Sequence, residues 1–276
     1  MSDAALANRP TSFGVAFAIL PPPQRDAIRA VHAFSRAVDD SVDEEPDAGR
    51  ARAELARWRR EIAACYEGEP MEPVTRRLRP HLLRYRIPRG HLEELVTGVE
   101  MDLTQTRYST FEDLRRYCYR VASVVGLICL RIFGEEEERG RDYADNLGLA
   151  LQLTNILRDL GRDHARGRIY LPGDELAAHG YTEEALARGE RNEAFLRLMR
   201  FETERTRAFF IAAEREACRL DRWRILAAEI MGGIYCRLLD RIEASGFDVF
   251  TREIRVPRAE RVWLAGRTLL AAQFHS

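Results

Sequence analysis

Two stretches of the chain carry acidic residues at the spacing that puts them on one face of a helix. In the first, Arg36-Ala-Val-Asp39-Asp40-Ser-Val-Asp43-Glu44-Glu45, Asp39 and Asp43 stand one helical turn apart and Arg36 lies nearly in line before them. Like charges so placed cost an isolated helix about 0.2–0.5 kcal/mol. That cost has a use if a cation sits between the carboxylates and a guanidinium grips a phosphate beside it. In the second stretch Gln152, Asn155, Asp159 and Asp163 fall three, seven and eleven positions along, one polar stripe of more than two turns. Around it stand Leu149, Leu151, Leu153, Ile156, Leu157 and Leu160. A solvated face would mix in arginine and glutamate; a stripe of Asp, Asn and Gln alone points to a cavity. Oxygen donors with few imidazoles suit Mg²⁺, which keeps several waters and bridges to phosphates. One such acidic pair on a chain that is 32% charged is more often a solvated face. Two, each beside an arginine and one aligned with amides, bring a metal role level with that solvated reading.

Other residues are placed to reach the same space. Tyr117-Cys118-Tyr119-Arg120 precedes a run in which Ala122, Ser123 and Gly126 are small, leaving room for a ligand or for close helix packing. Arg166-Gly-Arg168-Ile-Tyr170-Leu-Pro172 sets guanidinium groups just past Asp163, either as a cover over a diphosphate or as an ordinary basic loop. Tyr235 and Arg252 have no local signature. The six histidines show no ligand spacing; five read as surface residues, and His32, one turn before Arg36, is placed to line the site.

The elements that must hold these groups are helices. Strand alternation and Asn-Gly hairpin turns are absent from the sequence. Prolines and caps predict helices from Pro21 to about Glu44, Arg50 to Tyr66, Pro73 to Tyr85, and Pro88 to about Thr104. Further helices follow from Thr110 to about Phe133, Glu135 to about His164, Asn192 to Arg219, Arg222 to Ser245, and from Pro257 on. Two short ones fall in 174–179 and 182–187. No linker or repeat divides the 276 residues, so the reading is one all-α domain over 1–276. A net charge of −1 gives no basic field for nucleic acid. All 43 basic residues are arginine, whose planar fork matches phosphate oxygens. Five cysteines without a CxxC pair argue against a zinc site or disulfide framework and fit a reducing cytoplasm. The apolar run 121–130 is too short to cross a bilayer, which leaves peripheral membrane contact as the expected limit.

Taken together these motifs resemble the squalene/phytoene synthase family of head-to-head prenyl synthases. The resemblance runs from Ser12-Phe13, with Phe17, through the Arg36–Glu44 and Tyr117–Ala122 segments and the Gln152–Asp159 stripe to Arg168-Ile-Tyr170-Leu-Pro172, and on to about Arg267. Within the family, Gly98-Val-Glu-Met-Asp102-Leu with Arg107-Tyr108 is most similar to bacterial presqualene diphosphate synthases of hopanoid synthesis; phytoene synthases share much of the wording. The resemblance implies an isoprenoid-synthase helical bundle around a central cavity. Asp39, Asp43, Asn155, Asp159 and Asp163 would hold Mg²⁺ and, through it, two farnesyl diphosphates. Arg36, Arg158, Tyr235 and Arg252 would contact diphosphate oxygens, and Tyr117 would stand at the reaction centre. Ser12, Phe13, Phe17, Val121, Ala122, Val125, Gly126 and Gln152 would bind the prenyl chains. Two positions depart from the usual pattern. His32 stands where tyrosine is common, and Ser123 where glycine is usual, which is expected to narrow the cavity.

The implied reaction ionises one farnesyl diphosphate, lets the second chain's double bond attack, and closes a cyclopropane by proton loss, with Tyr117 or released diphosphate as acceptor. Phytoene or dehydrosqualene synthesis and NADPH-dependent squalene synthesis are the near alternatives. A head-to-tail prenyltransferase or terpene cyclase and a non-catalytic helical scaffold are the more distant ones.

Overall fold

The computed structural model describes residues 12–273 apart from 44 and 46, with the backbone alone for Ser12, Phe13 and Asp43. The described residues are helical, and their only β pairing is an isolated parallel bridge between Arg107 and Ile169. In chain order the helices are α1 (Ser12–Phe17), α2 (Pro22–Asp43), α3 (Ala48–Glu67), α4 (Pro73–Arg84), α5 (Arg89–Thr104) and α6 (Phe111–Cys118). A π-helical segment (Tyr119–Ser123) leads into α7 (Val124–Phe133). Then come α8 (Glu137–Ala165), α9 (Gly173–His179), α10 (Glu183–Ala187), α11 (Glu193–Ala217), α12 (Leu226–Ala244) and α13 (Arg258–Gln273).

The boundaries follow local chemistry. Asp47, Thr110, Thr182 and Asn192 each accept a hydrogen bond from a backbone N–H three residues on, capping α3, α6, α10 and α11. Gly134 ends α7 at φ 86°, where a side chain would be strained. The predicted helix from Thr110 to Phe133 is interrupted: five of its residues open into a π turn, a feature concentrated at functional sites. The last long helix before α13 begins at Leu226 rather than Arg222, because Asp221 takes the N–H groups of Trp223 and Arg224 and holds that segment as a turn.

Helix α8 is the axis of the fold. It packs against α7, α11, α12 and the π segment, and its buried face includes Leu149, Leu153, Ile156, Leu157 and Leu160. Helices α2 to α5 form a second layer around Phe34, Trp58, Ile62, Leu78 and Leu92. His91 is not a surface residue as expected. Its Nε2 lies 3.0 Å from Glu137, which also binds Arg131 and Arg141, tying α5 to the start of α8. On the other side Arg205 of α11 donates to Glu175 of α9 (3.0 Å), reaches the buried Glu202 at 3.5 Å, and lies 3.9 Å over the ring of Phe111. This cluster fixes the segment that follows the basic loop 165–172.

Candidate active site

A cavity of about 250 Å³ opens between α2, the π segment, α7, α8 and α12. Val121, Ala122, Val125 and Gly126 line it from one side, and Gln152 and Asn155 from α8. Phe17 of α1, His32 of α2 and Tyr235 of α12 complete the predicted set. Leu130, Phe133 and Tyr143 supply the bulkiest further wall. Tyr143 donates to Glu229 at 2.6 Å, so the half-buried carboxyl behind that wall has a partner.

The small residues serve both roles left open by the sequence. A Cβ on Gly148 would lie 2.6 Å from Cα of Ser123, and one on Gly126 would lie 3.2 Å from Ala144. Helix α8 and the π segment therefore touch backbone to backbone beside the cavity that Ala122 and Gly126 line. Ser123 does not narrow that cavity. It is fully buried away from it, and its hydroxyl donates to the Asp145 carbonyl at 3.2 Å. The π turn rotates Ser123 toward α8 and presents Val121 and Ala122 instead.

Helices α2 and α8 both line the cavity, α2 through Ile28, Val31, His32 and Ser35. Their acidic faces begin one turn beyond the last lining residue: Asp39 after Ser35, Asp159 after Asn155. Asp159 is held by Arg158, at 2.8 Å to one oxygen and 2.5 Å to the other, and by Arg162. Burial first, and then the Asp159 charge, push the Asp163 carboxyl up to about 6. Tyr235 is buried, and burial raises its hydroxyl pKa while hydrogen bonds from Asn155 and Arg158 oppose that rise. His32 faces the cavity, and desolvation followed by the charge of Arg36 lowers its pKa, favouring the neutral ring.

One atom in this group stands out. Asn155 Oδ1 is buried and accepts no hydrogen bond, a costly state for an amide oxygen. A hard cation would satisfy it, and the neighbouring carboxylates have the matching oxygen chemistry. The residues present therefore fit a divalent metal. Among the described residues no three acids or histidines converge into a complete ligand set. Asp159 is turned onto its two arginines, and the side chain of Asp43 lies outside the described residues, as do those of Ser12 and Phe13.

Tyr117 lies off the cavity wall in a cluster that sequence reasoning did not assemble. Its hydroxyl is 3.1 Å from Asp102 Oδ2 and 3.3 Å from Tyr170, whose own hydroxyl is 3.1 Å from Asp102 Oδ1. Tyr108 stacks on Tyr170 at 5.8 Å. Burial and the Asp102 charge raise the pKa of Tyr117 and Tyr170, which keeps both hydroxyls protonated. Asp163 also acts on Tyr170, so the cluster adjoins the acidic face of α8. A visible clue was Asp102 itself, an acid near the end of the largely apolar stretch Gly98–Leu103. The basic loop is pinned at its middle and just past its end: Ile169 N–H donates to the Thr106 carbonyl (2.9 Å) and Gly173 N–H to that of Tyr108 (2.8 Å). Arg107 adds a 2.7 Å bond to the Gly167 carbonyl and an ion pair with Glu183.

The family profile of squalene/phytoene synthases matches residues 6–260. The chain belongs to this family. It is 36% identical over 255 residues to a phytoene synthase of Arthrospira platensis, covering 87% of this chain and 82% of that one. It is 38% identical over 254 residues to a 15-cis-phytoene synthase of Synechococcus elongatus, with the same coverage. Among solved structures, a dehydrosqualene synthase in complex with ligand superposes with a TM-score of 0.89 at 26% identity, over 99% of this chain and 95% of that one. A squalene synthase, HpnC, from Alicyclobacillus acidocaldarius superposes with a TM-score of 0.78 at 29% identity, over 86% and 89%. The all-α bundle is thus the isoprenoid synthase fold, and the chain is a head-to-head prenyl synthase by family.

Two of the cations expected in a squalene/phytoene synthase site are turned elsewhere in this structure. Arg36 is exposed and donates to Asp40 at 2.7 Å. Arg252 is 73% exposed and pairs with Asp248 at 3.2 Å, on a segment whose Phe250 packs against Gly161 of α8. Neither lines the cavity, whereas Arg158 is half-buried beside Asn155 and Tyr235. The sequence places Arg36 on the right helix but does not reveal that Asp40, one turn on, competes for it.

Proposed function

We propose that the whole chain acts as one squalene/phytoene synthase domain, which binds two prenyl diphosphates and joins them head to head with Mg²⁺. The observation that carries this reading is the orphaned Asn155 oxygen, buried between an apolar cavity and the acidic face of α8. Asp39, Asp43, Asn155, Asp159 and Asp163 would hold the metal, which when bound supplies Lewis-acid stabilisation of the leaving diphosphate. Arg158 and Tyr235, beside Asn155, would hold diphosphate oxygens. Arg36 and Arg252 reach them only by exchanging Asp40 and Asp248 for phosphate. The wall from Val121 to Gly126, with Phe17, holds the prenyl chains and excludes water from the allylic cation. Tyr117 and Tyr170, protonated and fixed on Asp102, orient groups near the departing diphosphate.

Farnesyl diphosphate as substrate and presqualene diphosphate as product are the first reading, supported by the Gly98–Asp102 and Arg107-Tyr108 wording and by the likeness to HpnC. A second reading, phytoene or dehydrosqualene synthesis, is favoured by the 36–38% identity to relatives named phytoene synthase. The test is incubation of the chain with Mg²⁺ and either farnesyl or geranylgeranyl diphosphate, without NADPH, and mass analysis before and after phosphatase. A phosphatase-labile thirty-carbon diphosphate supports the first reading. A forty-carbon polyene or a dehydrosqualene supports the second. Absence of Mg²⁺-dependent turnover with both substrates overturns the function.

A further inference from the structure

The cavity has two unlike ends. Ser35 of α2, Asn155 of α8 and Tyr235 of α12 stand at the end that meets the acidic faces. At the other end the same helices bring Ile28, Tyr143 and Ala228, closed in by Leu130 and Phe133 of α7. Of these five, Tyr143 is the largest and the only one with a polar side-chain atom. Its hydroxyl donates at 2.6 Å to Glu229, the residue after Ala228. A swing of the ring would leave that buried hydroxyl unpaired, so the bond holds the ring across the end of the cavity. Leu130 is seated beside it. A Cβ on Gly140, one turn before Tyr143, would fall 2.6 Å from Leu130 Cδ1, so the missing side chain is the notch that receives the leucine. Tyr143 and Leu130 belong to one buried cluster with Ala213, Ala217, Leu220 and Ile225. The cavity therefore ends on packed protein and not on solvent.

We propose that Tyr143, latched on Glu229, is the floor of the chain-binding cavity and limits the prenyl chain lying along α8 to fifteen carbons. The assignment rests on the function proposed above and names the residue that selects its substrate. Tyr143 lies twelve residues before Asn155, about 18 Å along the helix axis. A terminal methyl in contact with the ring stops about 4 Å short of it, which leaves about 14 Å for a chain whose first carbon sits level with Asn155. Three backbone bonds of an extended chain span about 3.3–3.6 Å, so the four bonds of one isoprene unit span about 4.5 Å. Three units then take about 14 Å and four about 18 Å. The shorter chain fills the space. The fourth unit of a longer one meets the ring or the core behind it, and forcing extra methylenes into packed protein is unfavourable. With a smaller residue at 143, that unit occupies the volume the ring gives up.

The test is binding of two unreactive probes, farnesyl and geranylgeranyl thiolodiphosphate, to the full chain with Mg²⁺, followed by calorimetry. The variants are Tyr143→Ala and Tyr143→Leu, each checked for helicity by circular dichroism. Tyr143→Leu keeps an apolar side chain in the core, so the outcome does not depend on Tyr143→Ala folding. The unmodified chain is expected to bind the fifteen-carbon probe about tenfold or more tighter than the twenty-carbon one. Both variants should weaken the first and strengthen the second, moving the ratio of the two affinities about tenfold or more toward the longer chain. General damage to the fold would weaken both probes together, so the opposite movement of the two is the signature of a floor. The products of the natural diphosphates, compared by mass in equimolar mixtures, should shift in the same direction. Equal binding of both probes by the unmodified chain, or a ratio unchanged in a folded variant, overturns the length assignment and leaves the prenyl synthase reading standing. Failure of the unmodified chain to bind either probe overturns that reading and this assignment with it.

Discussion

Replacing Gly148 with alanine adds one methyl group at the point where α8 meets the π segment. Gly→Ala in a helix interior ordinarily stabilises by up to about 1 kcal/mol, because alanine has the higher propensity. Here the added Cβ would fall 2.6 Å from Ser123 Cα, 2.7 Å from Ser123 N and 3.0 Å from the Ala122 carbonyl carbon. All three are backbone atoms, so no side chain can swing aside. The two segments must separate, and overpacking of this kind costs about 1–3 kcal/mol. The packing cost exceeds the propensity gain, giving a net loss of about 0–2 kcal/mol in the opposite direction to the general rule. For a chain of this size that lowers Tm by about 2–4 °C for each kcal/mol. The same movement carries Val121 and Ala122 away from Gln152, so activity falls along with stability. The matched control is Gly233→Ala, whose Cβ would meet nothing within 4 Å inside α12. Thermal unfolding followed by circular dichroism, with turnover measured well below Tm, checks both. A Gly148→Ala protein as stable and active as Gly233→Ala would refute the claim that backbone contact at Ser123 shapes the cavity.

Three further outcomes follow from other contacts. Asp159→Asn removes the charge that Arg158 and Arg162 share; turnover should drop by about 10²–10³ while helicity persists, and full activity at saturating Mg²⁺ would contradict the assigned role. Tyr143→Phe leaves the half-buried Glu229 without its donor and should cost about 1–3 kcal/mol in urea unfolding, with no loss at all as the contrary result. Glu202 is buried beside Glu175, and burial, then the shared hydrogen bond, raise its pKa. The folded chain thus holds a proton that the unfolded chain releases above the ordinary carboxylate range, so stability falls as pH rises from there across neutrality. Glu202→Gln should flatten that decline in unfolding free energy against pH, and an unchanged slope would show that Glu202 does not carry it.

Much of this molecule was legible because proline, glycine and capping side chains mark helix ends independently of packing. Pro73, Thr110, Thr182 and Asn192 stand at or next to the first residue of their helices. The acidic stripe of α8 was legible because Gln152, Asn155, Asp159 and Asp163 interrupt leucines at a helical period. The π turn was not, since nothing in the residue types of Tyr119–Ser123 distinguishes it from an α-helix, and the extra residue falls where the segment meets Gly148, far along the chain. That one hidden turn reversed the expectation for Ser123. The Asp102 cluster was hidden for another reason: its members come from α5, α6 and the basic loop, and nothing in local spacing links residues 68 positions apart. Arg36 and Arg252 show a third limit, since an arginine in a chain this rich in acids finds a carboxylate partner that no motif specifies.

The pinning of the basic loop bears on affinity. A loop that must be recruited by its ligand gives up conformational freedom at the moment of binding, and that loss is subtracted from the observed affinity. Residues 167–173 are stapled to residues 106–108 before any substrate arrives, by two main-chain bonds and one guanidinium. Arg166 and Arg168 are thereby carried on backbone that is already ordered, so a diphosphate that met them there would lose little of its affinity to ordering the loop.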